Sequence, residues 1–298
     1  IKVVHEILSA NLPYTVSVHV FGSRALWTSK THSDLDLALK ADKQLSLSVM
    51  ASLKEAFSES ELPFKVDVVD WNSVPPDFQS VIDNTAAPLS IPLGEISKFL
   101  SGGTPSKKQA RYWHGSTPWL SPKDMADWRG KTELHVTHEG LKNGTRLAPA
   151  TAVFLAVRGM SLHKEIRVVF PETEMAFNQD VKAIVSDGTI TSIYLYYALL
   201  ALKPTLQSTV ESSGHGTGTL PTYRLEKLLI PLFSRSTEEK IAQLLKSIDQ
   251  KLVLNQRMNR TLEASARALF RDWFLDFGPT KAKMAGDAPY LAPELWSL

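Results

Sequence analysis

The sequence predicts a chain in three parts: an α/β unit over residues 1–87, an α+β unit over 91–235, and a long helix over 236–277 followed by a connector, 278–298. Three observations carry that division. Helix-like and strand-like stretches alternate through the first part, loops rich in Gly, Ser, Thr and Pro separate strand-like runs in the second, and a heptad seam fills the third. The chain has 298 residues and 43% hydrophobic content, enough for more than one core. Cysteine is absent, which excludes disulfide scaffolds and thiolate metal sites and suits a reducing cytoplasm. No apolar run nears the roughly 18 residues of a membrane span, and no secretory signal is visible. The chain opens on Ile1 and stops at Trp296-Ser297-Leu298, so both ends read as trimmed boundaries.

In the first part, the pattern predicts helix at Val3–Ala10, strands at Val16–Phe21 and Leu35–Leu39, helix at Leu47–Phe57 and strand at Phe64–Val69. Asn84–Pro92, with Pro88 and Pro92 among small residues, reads as a linker. The second part carries strand-like runs at Thr151–Val157, Ile166–Phe170 and Val181–Val185, then helical periodicity at Ser192–Leu202 and Tyr223–Leu229. Residues 1–90 hold 7 basic and 11 acidic side chains, a net −4; residues 91–235 hold 17 and 12, a net +5. The basic middle segment permits nucleic-acid binding without demanding it.

The third part is a ruler. Ile241, Leu245, Ile248, Leu252, Asn255, Asn259, Leu262, Ala266, Leu269 and Trp273 fall at spacings of four and three without a slip. Bounded by Pro231 and Gly278, the seam predicts one helix from about Thr237 to Phe274, roughly 57 Å long at 1.5 Å per residue. A helix of that length cannot bury its stripe against a small domain, so a coiled-coil pairing with another such helix is expected. Asn255 and Asn259 are either solvated, which would break the register there, or a buried polar layer that fixes alignment.

Two constellations carry chemistry. The first runs Val20-Phe21-Gly22-Ser23-Arg24, then, after a ten-residue gap that follows Ser23, Asp34-Leu35-Asp36-Leu37, with Asp67 on a later strand. Positions i and i+2 of a strand share a face, so Asp34 and Asp36 present two carboxylates, a pairing that suits a hard divalent cation. A Gly-Ser turn offers backbone N–H groups and a hydroxyl to phosphate. This pattern over about residues 2–85 resembles the minimal nucleotidyltransferase family. The resemblance implies Asp34, Asp36 and Asp67 as metal ligands, Gly22 and Ser23 as the phosphate contact, and Mg²⁺ with a nucleoside triphosphate as cofactors. Leu26-Trp27 departs from the small or basic pair usual in close relatives. A retained fold with weak or no catalysis remains open beside an active enzyme.

The second constellation is an ordered series: Leu93-Gly94-Glu95-Ile96 through Ser106-Lys107-Lys108, Pro118-Trp119-Leu120-Ser121-Pro122-Lys123, Met175-Ala176-Phe177-Asn178-Gln179-Asp180, Leu229-Ile230-Pro231-Leu232, then Asn255-Gln256-Arg257 and Arg271-Asp272-Trp273-Phe274. In this order the stretches closely resemble the DNA specificity subunit of type I restriction–modification enzymes, over about residues 91–298. The resemblance implies a target recognition domain that reads a few base pairs of double-stranded DNA. It also implies a helix that spaces two half-sites, and partners in methyltransferase subunits and an ATP-driven restriction (translocase) subunit. Lys107, Lys108, Arg111, Lys123 and Arg158 are the nominated phosphate or groove contacts. The full family pattern has two recognition domains, and the second either lies beyond Leu298, as the connector-like tail favours, or comes from a dimer partner.

Other features exclude competing chemistry. The loop Ser213–Thr219 lacks the Gly-Lys-Ser/Thr of a nucleotide-binding P-loop. Asn11-Leu12-Pro13-Tyr14 lacks the second proline of an adenine-methyltransferase tetrad. His135 and His138 have no third ligand and read as surface histidines. The leading expectation is a DNA-recognition subunit whose recognition part is non-catalytic, and the alternative is a metal-dependent nucleotidyltransferase targeted by the recognition domain.

Overall fold

The computed structural model describes residues 1–13, 16–25, 33–212 and 216–286; Leu26-Trp27, residues 213–215 of the glycine-bearing loop and the end of the connector lie outside them. Residues 1–242 form one compact unit and 243–298 another.

The first part builds a four-stranded sheet from β1 (Ser17–Phe21), β2 (Leu35–Lys40), β3 (Val66–Asp70) and β4 (Ala87–Pro88), in the order β3-β2-β1-β4, with only β2 and β3 parallel. Alternation assigns its faces. Leu35, Leu37 and Leu39 of β2 are at most 1% exposed and pack with α1 (Lys2–Asn11) and α3 (Leu47–Ser58), which follows the single turn α2 (Gly22–Ala25). Each such leucine contributes roughly 1.5–3 kcal/mol. The opposite face, at Ala38 and Val69, is covered by Ile82 of α4 (Pro76–Thr85), so Asp36 and Asp67 share the α4 side of the sheet. The helix α4 was not legible in the sequence, because its buried stripe is the single residue Ile82.

The segment expected to be a linker is structure. After β4 pairs with β1, Leu89 turns inward and β5 (Ser90–Pro92) pairs with β17 (Leu229–Pro231) from the far end of the second part. Leu93 N donates to Leu228 O at 2.8 Å and Leu232 N to Leu89 O at 2.7 Å. Leu89, Ile91 and Leu93 are at most 1% exposed and belong to one cluster that also holds Leu37, Leu53, Leu155, Leu195 and Leu232. The two prolines therefore punctuate a strand pair whose side chains join the neighbouring cores.

The second part runs α5 (Leu93–Ile96), β6 (Ser97–Ser101), β7 (Trp113–Leu120), β8 (Leu134–Val136), α6 (His138–Gly144), β9 (Leu147–Ala148), β10 (Val153–Ala156), β11 (Arg158–Gly159), β12 (Val168–Val169), β13 (Met175–Phe177) and β14 (Val181–Ser186). After it come α7 (Ser192–Ala201), α8 (Lys203–Ser208), β15 (Glu211–Ser212), β16 (Gly218–Thr219) and α9 (Thr222–Glu226). One sheet, β12-β10-β14-β6, is antiparallel throughout. All of β10 is buried because both its faces are covered: Val153 and Leu155 join the cluster with α7, while Phe154 and Ala156 join a second cluster with Phe177. A second sheet, β8-β7-β13-β9, pairs β7 and β13 in parallel. The strand β7 was missed in the sequence because Gly115, Pro118 and a bulge between Trp113 and Thr117 break its alternation.

The helix α10 (Arg235–Phe270) is one element of 36 residues, about 54 Å at 1.5 Å per residue, extended by a wider turn over Arg271–Leu275. Ile241 packs on the core of the first compact unit, whereas Ile248, Leu252, Leu262 and Leu269 are exposed, as are Asn255 and Asn259. α11 (Gly278–Ala285) follows. Among the described residues, no helix is long and apolar enough to cross a membrane.

Candidate functional site

The carboxylate site forms where three strands meet. Antiparallel pairing sets Phe21 opposite Asp36, and parallel pairing sets Asp36 beside Asp67. Gly22 turns the chain out of β1 with φ of 70°, the left-handed region open to glycine, and a Cβ there would run into the Asp36 carboxylate. The Gly-Ser turn thus brings backbone directly against the carboxylates, in space that only a missing side chain provides.

The charges are unevenly balanced. Burial holds the Asp36 carboxyl above the usual range, and the negative charges of Asp67 and Asp34 push the same way, against Lys65 and Arg24. Lys65 grips Asp67 with Nζ at 2.7 Å from Oδ1 and 2.8 Å from Oδ2. That hydrogen bond, then the Coulomb field of Asp67, raises the Lys65 pKa. Arg24 donates to the Ser33 carbonyl at 2.6 and 3.0 Å and to the Asp34 carbonyl at 3.1 Å, with its guanidinium 4.3 Å from the Phe64 ring centre. It therefore clamps the backbone entering β2. A cleft of about 940 Å³ opens over Asp36, Lys54, Phe64, Lys65 and Asp67.

The structure brings Asp36 and Asp67 together, but Asp34 precedes β2 and its backbone is tied to Arg24. Among the described residues, no group of three or more His, Cys, Asp or Glu could hold a metal. Asp36 and Asp67 stand side by side on β2 and β3, and Asp34 lies one residue ahead of β2, close enough for its charge to act on Asp36. A pair of hard oxygen ligands still fits Mg²⁺, which commonly takes one or two carboxylates and completes its shell with substrate phosphates and water.

The second site lies in the second part. Lys107 and Lys123 line a groove with Thr104, Trp119, Asn178 and Gln179. Its frame is fixed by tryptophans: Trp119 Nε1 donates to Gly103 O at 3.0 Å and Trp113 Nε1 to Ser106 O at 3.2 Å, with the rings edge to face at 5.3 Å. Asp124 accepts from Ser121 N, Ser121 Oγ and Glu133 N at 2.6–2.9 Å, which sets the loop carrying Lys123. Lys123 pairs with Glu133 at 2.7 Å, and Arg111 pairs with Glu139 at 3.3 Å while stacking on Tyr112. Lys108 is exposed in the stretch between Lys107 and Arg111. Arg158 opens β11, and its backbone N–H donates to Asp180 O at 3.3 Å. The nominated basic residues are all exposed. Thr104 and Gln179 also line this groove, and no motif spacing singles them out in the sequence.

Comparison with known proteins then divides the chain. Residues 90–264 match the type I restriction modification DNA specificity domain, and residues 2–89 match the polymerase beta nucleotidyltransferase domain. The chain is 27% identical over 219 residues to the specificity subunit of an Escherichia coli type I restriction enzyme, covering 71% of this chain and 48% of that one. It is 30% identical over 193 residues to a Methanocaldococcus jannaschii specificity subunit, covering 63% and 44%. The N-terminal part is 43% identical over 83 residues to a probable protein adenylyltransferase of Haemophilus influenzae, covering 28% of this chain and 71% of that one. The chain thus spans less than half the length of these two specificity subunits.

Proposed function

We propose, from the premise that this chain belongs to the type I restriction modification DNA specificity family, that residues 91–235 are a target recognition domain for double-stranded DNA in the cytoplasm. The N-terminal part belongs to the nucleotidyltransferase family, and residues 1–87 form a domain of that kind. The observation that carries the reading is the groove at Thr104, Lys107, Lys123 and Gln179, a polar surface on a tryptophan-locked frame in which Glu133 and Asp124 hold Lys123 and its loop. Lysine and arginine at such a rim neutralise phosphates and set register, while polar groups in the floor meet base edges.

The helix over 236–277 is the spacer of a bipartite site. Its exposed seam at Ile248, Leu252, Leu262 and Leu269 suits a second recognition half, supplied in cis or by a dimer partner, and the methyltransferase subunits that would grip it. Asn255 and Asn259 set the alignment of that pairing. The restriction and translocation subunit completes the assembly. Selection from a randomised duplex pool tests the reading: it requires an enriched motif, and equal affinity for random and selected DNA would refute it.

A second reading, metal-dependent nucleotidyl transfer, is favoured by one observation, the Asp36–Asp67 pair against the bare Gly22 backbone. Asp36 and Asp67 would hold Mg²⁺, with Asp34 beside them, and the ion would supply charge neutralisation for a nucleoside triphosphate. Gly22 and Ser23 would meet its phosphates through backbone N–H and hydroxyl groups. Transfer of label from [α-³²P]ATP, lost in Asp36→Asn and Asp67→Asn, would support this activity; no transfer above the double variant would refute it.

A further inference from the structure

The turn Asn178–Asp180 connects β13 to β14 and contributes Asn178 and Gln179 to the lining of the groove. Its backbone is held without help from Gln179. Asn178 N donates to Leu120 O at 3.0 Å, Asn178 Oδ1 accepts from Asp180 N at 2.9 Å, and Val157 N donates to Asp180 O at 2.8 Å. Asn178 is 7% exposed and is spent on the fold. Gln179 is exposed, and its side-chain Oε1 accepts from Thr104 Oγ1 at 2.7 Å. That bond orients the amide: one lone pair of Oε1 faces Thr104, and Nε2 with the second lone pair of Oε1 points away from it.

Beside this amide the groove is lined by lysines from two separate segments and by the carboxylates of Asp124 and Glu133. Lys107 and Lys123 line the groove itself. Arg158 is tied to the turn through the Asp180 carbonyl, and exposed Arg146 follows Thr145, whose hydroxyl donates to Phe177 O at 2.7 Å. A fixed donor–acceptor pair flanked by Lys107 and by Lys123, which Glu133 holds at 2.7 Å, suits a group that reads a base edge while neighbouring lysines meet phosphates.

We propose that Gln179, aimed by Thr104, reads an adenine in the major groove of the DNA target. This rests on the recognition reading above. An amide presenting one acceptor and one donor side by side matches the adenine N6 amino group and N7, whereas guanine offers two acceptors on the same edge. Gln179 is thus a specificity-determining residue, and Thr104 a positioning residue that acts through it. A bidentate contact of this kind discriminates against the wrong base by about ten- to a hundred-fold.

The test is motif selection from a randomised duplex pool by the full chain, comparing wild type with Gln179→Ala, Thr104→Val and Lys107→Ala. Circular dichroism and thermal melting check that each variant is folded, and Gln179 is exposed in a turn held by other atoms. Gln179→Ala is expected to lose about ten- to a hundred-fold preference at one A·T position with the rest of the motif intact. Thr104→Val should loosen the same position by a smaller factor, and Lys107→Ala should weaken all sequences evenly. A motif unchanged by Gln179→Ala, weakened evenly, or relaxed at a G·C position overturns the assignment. If wild type enriches no motif, the recognition reading falls and this inference falls with it.

Discussion

Glu238 sits in the first turn of α10 with its side chain 1% exposed, so its protonation is linked to folding. Its Oε2 accepts from Thr191 N, the N-cap of α7, at 3.0 Å and lies 3.7 Å from the Arg235 guanidinium, while the buried Oε1 has no hydrogen-bond partner among the described residues. Burial pushes the carboxyl up to about 7 from an ordinary 4.5, against the pull of the Thr191 N–H and Arg235, while the negative charge of Glu239 adds to the rise. Tyr194, on the next turn of α7, is raised by its own burial and then by Glu238. Because the folded state holds this proton more tightly than the unfolded chain, stability falls as pH rises between about 4.5 and 7 and levels off above. The span is about 3 kcal/mol at 1.36 kcal/mol per pKa unit. Glu238→Gln keeps an acceptor for Thr191 and removes the titration. Urea denaturation from pH 4.5 to 8 should find the variant near wild type at the acid end and more stable by up to about 3 kcal/mol at pH 8. Parallel pH profiles for the two proteins would refute the argument.

Other perturbations report on different parts of the chain. Gly22→Ala forces a Cβ against the Asp36 carboxylate at φ of 70° and should cost about 1–3 kcal/mol in thermal unfolding. Ile91→Ala empties a fully buried position of β5 and should cost about 2–5 kcal/mol. Because Ile91 belongs to the cluster shared by both parts, hydrogen exchange should rise in β2 and β10 together rather than in one alone. Inserting seven residues at Asn255 lengthens the helix by about 10 Å and should widen the gap between half-sites in the selected motif.

The parts of the fold that showed in the sequence are those with clean periodicity. Leu35, Leu37 and Leu39 alternate because one face of β2 is buried, and the heptad ruler persists because α10 is one unbroken helix. What stayed hidden depends on partners distant in sequence. Ile91 looks like part of a proline-bearing linker until Ile230 pairs with it, and β7 loses its alternation to a bulge. The site divides the same way. Gly22, Asp36 and Asp67 were legible because motif spacing encodes a strand–turn–strand register, whereas the position of Asp34 depends on where β2 begins and on the Arg24 clamp. Gln179 could not be singled out, since its orientation comes from Thr104, separated by 75 positions, and the turn beneath it is held by atoms of Leu120 and Val157.

If residues 91–235 are the proposed recognition domain, the methylome of the host sequenced with and without the gene should differ. One bipartite methylated motif is expected to disappear on deletion and return on complementation. A methylome that is identical in both strains would contradict that reading.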